Sequence, residues 1–298
     1  MIDLNKYFST NQDESKTDFF PLMSNEDEEK IGKESTPNTL AILPLKNTVL
    51  FPGVIIPITI GRDKSIKLIN DSENSNNKIG VLSQKDPQIE IPTTKDLNQI
   101  GTVAQILKTL KMPDGNITAI IQGRKRFKVE SIVKEEPYIV ASVQEINDKK
   151  YQKNKASDAL ISSVRDLALK IIDESPNIPS EANIALKNIK SSSFLINFVS
   201  SNMNIDLETK QSLLEETDFE KRANSVLKYL TKELQILEMK NKIQSKVKID
   251  LDKQQKEYLL NQQLKAIKEE LGESGSVKEI EELSRLALKK KWSNEVKD

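Results

Sequence analysis

A single run of helical periodicity, residues 218–271, constrains this chain more than any other feature. The run contains neither Pro nor Gly, and its apolar residues recur at steps of three and four, which is typical of an α-helix. Its apolar positions are Phe219, Ala223, Val226, Leu230, Leu234, Leu237, Ile243, Val247, Leu251, Leu260, Leu264, Ile267 and Leu271. One helix over this run would extend roughly 80 Å, whereas a small domain is roughly 30 Å across. We therefore predict a helical strut between two bodies or a coiled-coil arm.

The middle of this predicted helix has the weakest apolar repeat. Residues 241–250 are crowded by Lys240, Lys242, Lys246 and Lys248. Fewer apolar contacts leave the backbone hydrogen bonds easier to open. We therefore predict a hinge or a fraying zone there, between two segments with clear apolar stripes.

The amino-acid composition excludes several kinds of catalytic site. The 298 residues include neither Cys nor His, which excludes disulfides, thiolate metal sites and nucleophiles of the Ser-His-Asp and Cys-His types. None of the nine glycines stands in a Gly-x-x-x-x-Gly-Lys-Ser/Thr phosphate loop. Composition does not exclude a catalytic Ser-Lys dyad, because both residue types are abundant, but no sequence pattern marks a particular Ser-Lys pair. We therefore predict no catalytic, cofactor-binding or metal-ligating residue in this chain.

Hydropathy and charge bear on the location of the protein. The most apolar window, residues 54–60, is far shorter than the roughly 20 residues that cross a bilayer. The formal net charge is zero, so no strong whole-chain field attracts nucleic acid or an acidic membrane. The absence of Cys fits a reducing compartment. We predict a cytoplasmic protein with no membrane partner.

Changes in composition and periodicity divide the chain into five parts, and the predicted fold class is α+β. Residues 1–39 hold nine acidic and four basic residues with little apolar surface, so we predict a disordered tail. Residues 40–148 contain many short β-rich runs, which favour a small curved sheet or an open barrel. Residues 149–217 contain short amphipathic helices that predict a small bundle. The long helix takes residues 218–272, and residues 273–298 begin a further helix.

The β-rich run at residues 54–60 is the candidate for binding an extended peptide. Pro57 cannot donate a ladder hydrogen bond, so it predicts a sheet edge or a bulge there. An exposed edge can bind an extended peptide by adding a strand, with apolar pockets for its side chains. The candidate contacts are Ile55, Ile56 and Ile58. The alternative is that all three are core residues.

The densest basic patch of the β-rich region holds Arg124, Lys125, Arg126 and Lys128 around Phe127. Lys and Arg neutralise phosphates and an aromatic ring stacks on a base, so these four cations are candidate nucleic-acid contacts. The alternative is a solvated turn between two strands, with Phe127 in the core. We favour the turn and keep nucleic acid as an alternative partner.

Several stretches are distinctive enough to compare with known families. Residues 43–52 read Leu-Pro-Leu-Lys-Asn-Thr-Val-Leu-Phe-Pro, and residues 57–65 read Pro-Ile-Thr-Ile-Gly-Arg-Asp-Lys-Ser. Residues 100–106 and 112–115 form a strand-like run and a Met-Pro-Asp-Gly turn. Residues 255–272 read Gln-Lys-Glu-Tyr-Leu-Leu-Asn-Gln-Gln-Leu-Lys-Ala-Ile-Lys-Glu-Glu-Leu-Gly. Together these stretches resemble the amino-terminal region of Lon, a family of ATP-dependent proteases.

The last of these stretches is the most specific. It looks like the Gln-x-Glu-Tyr-x-Leu-x-Glu-Gln-x-x-x-Ile-x-x-Glu-Leu-Gly signature of the long helix in Lon. Lys256 precedes the Glu-Tyr pair, and Asn261-Gln262 stands where the family often has Asn-Glu. Both departures are conservative. The resemblance runs from about Leu40 to the end of the chain and leaves the acidic tail outside.

The resemblance implies a PUA-like, mostly antiparallel β pseudo-barrel, then a helical bundle and the long helix. It also implies a cytosolic homohexamer whose amino-terminal region selects unfolded, damaged or degron-bearing proteins. An AAA+ motor that uses ATP and Mg²⁺ would thread these proteins to Ser-Lys proteolytic sites. Both the motor and the protease would lie beyond residue 298, so this chain itself would be non-catalytic and its last helix would be a linker. A stand-alone Lon-domain protein that binds nucleic acid is the alternative.

Overall fold

The computed structural model describes most of the chain. The described residues are 31–32, 34–73, 78–113, 115–148, 154–176, 178–179, 181–271 and 273–290. The predicted disordered tail therefore lies outside the described residues except for its last part. The chain divides into two compact units, Met1–Leu237 and Glu238–Asp298.

In the described part of the β region, six strands and one α-helix are present besides a short 3-10 helix at Thr94–Asp96. They are β1 (Thr39–Leu45), β2 (Ile55–Ile60), α1 (Asp63–Glu73), β3 (Lys78–Ser83), β4 (Ile100–Lys111), β5 (Ile117–Lys134) and β6 (Val140–Ile146). Val, Ile and Thr dominate these strands, and β-branched side chains pack well on a pleated surface. The β4–β5 turn ends at Gly115, whose φ of 85° favours a residue without a Cβ.

The strands form one sheet that closes on itself. Their order is β2-β5-β4-β3-β1-β6, and β5 also pairs with β6, so the last five strands of this order complete a ring. All pairings are antiparallel except the one between β1 and β3. The predicted α+β fold with a mostly antiparallel pseudo-barrel is confirmed.

Strand β5 closes the ring because it is 18 residues long. Its first part pairs with β2 and its second part, from Arg126 onward, pairs with β6. The solvated turn predicted at the basic patch is therefore wrong, although Phe127 is fully buried as predicted. Gly123 serves a close approach instead of a turn, since a Cβ there would collide with the backbone carbonyl of Phe51.

Two apolar clusters fill the β region. One combines side chains of the ring strands with Leu97, including Ile42, Leu82 and Phe127. The other packs Leu68 and Ile69 of α1 against the sheet. Helix α1 therefore covers one face of the sheet.

Four helices form the bundle of the first unit. They are α2 (Lys155–Glu174), α3 (Glu181–Asn188), α4 (Ser192–Asn202) and α5 (Leu207–Glu215). The side chains of Asn154, Ser191 and Asp206 cap α2, α4 and α5 by accepting backbone N–H groups of their first turns. Val49 and Phe51 of the β region join the apolar cluster of this bundle, so the bundle and the sheet share a core.

The long helix is present as α6 (Phe219–Glu270), a single element of 52 residues, and α7 (Glu273–Lys289) follows it. The buried side chains of α6 belong to the first unit and include Ala223, Val226 and Leu230. The apolar residues of α6 from Met239 onward are exposed. The predicted long helix is confirmed. It runs through residues 241–250 without a break, and the predicted fraying there stays a prediction. Within the described residues no helix combines the length and the hydropathy that crossing a bilayer requires.

Candidate functional site

The predicted peptide edge is strand β2. It pairs with β5 along one side, and no described strand pairs with its other side. Ile55, Ile56 and Ile58 are half-buried there. Ile56 packs against both the bundle cluster and the cluster beneath α1, and Ile58 packs against the latter. Ile56 and Ile58 therefore contribute to the core, and the contact of all three side chains with a peptide stays a prediction.

Two of the predicted nucleic-acid contacts have carboxylate partners within the chain. Lys125 pairs with Glu145 at 2.9 Å, and Arg124 lies 3.6 Å from Glu34. Burial by itself would raise the pKa of Glu145, but hydrogen bonds from Thr36 and Lys125 outweigh it and hold that pKa below its usual value. The chain before β1 is thus attached to the sheet through the Glu34–Arg124 pair and the hydrogen bond from Thr36 to Glu145.

The remaining two cations of the patch have opposite surroundings. Lys128 is exposed, whereas Arg126 is buried. The Arg126 guanidinium donates to the carbonyls of Leu214 at 2.7 Å and Glu216 at 2.9 Å. Arg126 therefore connects β5 with the end of α5 and is not presented to solvent.

A second buried arginine, Arg222 of α6, completes this junction. It donates to the Glu216 carbonyl at 3.0 Å and to Asp148 Oδ2 at 3.1 Å. Asp148 also pairs with Arg126 through Oδ1. The pKa of each arginine is lowered to about 10, chiefly by burial and, for Arg126, also by the neighbouring Arg222 charge. Both are still protonated at neutral pH. Asp148 pairs with both cations, and the charge of Glu216 also favours their protonated forms.

A cavity of about 530 Å³ lies in the β region. It opens between the first turn of α1, the β3–β4 connection and the β5–β6 connection. Ile42 and Leu68 form buried apolar walls, and Ile91 on the rim is 78 % exposed. Tyr138 also lines the cavity, and its pKa is raised by burial and by its hydrogen bond to Asp71. The cavity can therefore accept apolar groups in contact with both the core and the surface.

Polar side chains cross the mouth of this cavity. Lys64 Nζ lies 2.6 Å from Glu136 Oε1, and the two side chains are 56 % and 75 % exposed. The Thr94 hydroxyl donates to Glu135 Oε1 at 3.4 Å, which is long for a bond to a carboxylate. Exposed ion pairs contribute little to stability, so these contacts can open at small cost.

The sequence did not predict this cavity, because three separated segments build its mouth. The mouth is formed by residues of the segments 61–65, 91–94 and 135–139, while Ile42 and Leu68 lie deeper. The one local signal was Ile91, an apolar residue that stands before a proline in a polar loop. No group of three or more Asp or Glu residues that could hold a metal ion occurs in the described part of the chain.

Comparisons with known proteins agree with the architecture. Residues 39–232 match the family described as the ATP-dependent protease La (LON) substrate-binding domain. The Lon protease of Flavobacterium johnsoniae is 53 % identical over 280 residues, which cover 94 % of this chain and 34 % of that protein. The Lon protease of Cytophaga hutchinsonii is 44 % identical over 286 residues, covering 96 % of this chain and 35 % of that protein. The chain thus spans about a third of the length of these curated relatives.

A solved structure supports the fold. The N-terminal domain of the Mycobacterium avium complex Lon protease aligns with a TM-score of 0.53 at 17 % identity. The alignment covers 65 % of this chain and 98 % of that one. At this identity the likeness concerns the fold alone.

Proposed function

The chain belongs to the family of Lon substrate-binding domains, and on that premise we propose that it is the substrate-recognition and assembly region of an ATP-dependent serine protease. The parent protease would degrade misfolded, damaged and short-lived regulatory proteins in the cytoplasm. The family match carries this proposal, because its residues 39–232 take in the β region and the whole helical bundle.

The surface chemistry of the β region supports recognition of unfolded segments. Ile91, Ile132 and Val133 are exposed apolar side chains of this region, and the cavity beside Ile91 has an apolar lining. Unfolded proteins expose the apolar side chains that folded proteins bury, so burial against this surface is favourable. Selection by such contacts is loose, which suits a protease with many substrates.

Assembly would raise the strength of these weak contacts. We propose that the parent protein is a homohexamer, whose motor would use ATP and Mg²⁺ and whose proteolytic sites would use a Ser-Lys pair. Six recognition regions in one particle raise the effective concentration of binding sites for a single unfolded chain. The relatives are about three times as long as this chain, which leaves room for such parts.

A titration with a permanently unfolded protein tests the proposal. A fluorescently labelled, reduced and alkylated model protein is titrated with the chain alone and with the chain fused to a hexameric ring scaffold. We expect the unfolded protein to bind, the hexamer to bind more tightly than the single chain, and the folded form of the model protein not to compete. An absence of binding to the hexamer would contradict the proposal.

A further inference from the structure

We propose that the cavity between α1 and the β5–β6 connection receives one large apolar side chain of an extended polypeptide, and that Glu135 selects a basic residue next to it. This inference rests on the proposed function and names the class of segment that the β region prefers. Its site is the 530 Å³ cavity whose mouth lies between residues 61–65, 91–94 and 135–139.

The size of the cavity favours a side chain over a folded surface. Sites for small ligands enclose about 300–1,000 Å³, and this cavity lies in the lower half of that range. An aromatic or large aliphatic side chain fits such a volume, whereas a helix about 10 Å wide does not. Ile42 and Leu68 would contact the inserted side chain, and exposed Ile91 would cover the residue beside it.

The charges at the mouth favour a basic neighbour. The cationic side chains that line the cavity already have partners, since Arg62 donates to Gln84 at 2.7 Å and Lys64 pairs with Glu136. Glu135 is exposed, and its contact within the described residues is the neutral hydroxyl of Thr94 at 3.4 Å. Its negative charge is therefore not compensated by a cation of the described chain. A Lys or Arg on the bound segment would compensate it with a stronger, charge-assisted bond.

The ion pair across the mouth controls access. Lys64 belongs to α1 and Glu136 to the β5–β6 connection, so their contact spans the opening. When the pair opens, Glu136 adds a second carboxylate beside Glu135. Lys64→Met removes the cation and leaves both carboxylates to the ligand. We expect this variant to bind segments with an apolar and a basic residue about threefold more tightly.

A peptide panel tests the preference. Labelled ten-residue Gly/Ser peptides carry Phe-Lys, Phe-Glu or Ala-Lys at their centre, and their Kd values for the full chain are measured by fluorescence anisotropy. The Ala-Lys peptide should bind at least about tenfold more weakly than the Phe-Lys peptide, because it lacks the buried aromatic side chain. The Phe-Glu peptide should bind about threefold to fivefold more weakly than Phe-Lys.

Glu135→Gln is the variant for the charge preference. It should abolish the difference between Phe-Lys and Phe-Glu while leaving the difference between Phe-Lys and Ala-Lys. Glu220→Gln is the matched control, because Glu220 is exposed on α6 and does not line the cavity. Retention of the Lys preference in Glu135→Gln, or its equal loss in the control, would overturn the role of Glu135.

The absence of native Cys allows the site to be located directly. An environment-sensitive dye is attached to Ile91→Cys, and the control carries it at Ile184→Cys, an exposed position on α3. The Phe-Lys peptide should shift the emission of the dye at position 91 and leave that at 184 unchanged. Equal Kd values for Phe-Lys and Ala-Lys, or a response at 184 only, would overturn the inference.

The two proposals fail separately. If unfolded protein binds to the chain but the peptide panel shows no selectivity, the cavity is not the site and the general recognition role stands. If unfolded protein does not bind even to the hexameric form, the recognition role itself fails.

Discussion

The Asp148→Asn variant removes a carboxylate that two arginines share at the junction between the sheet and the helical bundle. Asp148 lies against the guanidinium groups of Arg126 and Arg222, both of which are buried. Asn keeps the size of the side chain and removes its charge. The backbone carbonyls of Leu214 and Glu216 would still accept from the arginines, but two buried cations would face each other with less compensation.

The expected cost follows from burial. Removing one partner of a fully buried ion pair costs about 3–5 kcal/mol. Asp148 is 36 % exposed, so water screens part of its charge and we expect a loss of about 2–3 kcal/mol. The exposed Asp166 of α2 gives the matched control, since Asp166→Asn should change the free energy of unfolding by less than about 0.5 kcal/mol.

Hydrogen exchange with mass spectrometry measures this loss on both sides of the junction. Peptides from β5 and from α5 report the opening free energies of the sheet and the bundle. Asp148→Asn should lower both, and in an Arg222→Met background it should lower them less, with a coupling energy of about 1 kcal/mol or more. A loss no larger than that of Asp166→Asn would refute the reasoning, as would exact additivity with Arg222→Met.

Four further predictions test other parts of the structure. The pKa of Glu145 is below its usual value in the folded chain. The ionised side chain therefore stabilises the fold above its unfolded pKa, and this contribution is lost as pH falls through the folded pKa. In urea unfolding, the free energy of unfolding of Glu145→Gln should differ from that of the unchanged chain more at pH 7 than at pH 3. A Cβ at Gly101 would collide with the Val81 backbone, so Gly101→Ala should cost about 1–3 kcal/mol in the same assay. Leu230→Ala should cost about 2–5 kcal/mol because Leu230 is 2 % exposed, whereas Leu260→Ala, at 54 % exposed, should cost less than about 0.5 kcal/mol. Amides of residues 241–250 should exchange faster than those of the flanking helical turns of α6, and equal protection would contradict the predicted fraying.

The sequence predicted the elements better than their contacts. The apolar repeat identified α6, because helical periodicity is a local property of the chain. The same repeat continues at Leu260 and Leu264, which are exposed. Periodicity therefore shows which residues share a face of a helix, and it does not show whether another part of the molecule covers that face.

The basic stretch of β5 shows why local patterns mislead. Gly123 followed by three cations reads as a turn, yet the glycine serves close contact with Phe51 and the strand continues. The backbone carbonyls that accept from Arg126 lie 88 and 90 residues away in the chain. No local pattern reports such distant acceptors, so a buried structural arginine resembles a solvated one in the sequence. The cavity was missed for the same reason.

The most direct test of the proposed recognition role is a hydrogen-exchange footprint of a bound unfolded protein on this chain fused to the hexameric ring scaffold. Backbone amides exchange more slowly when a bound ligand covers their segment. We expect slower exchange at residues 91–94 and 135–139, around the apolar cavity, and we expect Ile91→Ser to reduce both the protection and the binding. Protection confined to residues 238–290, or binding with no protection in the β region, would contradict the proposed role.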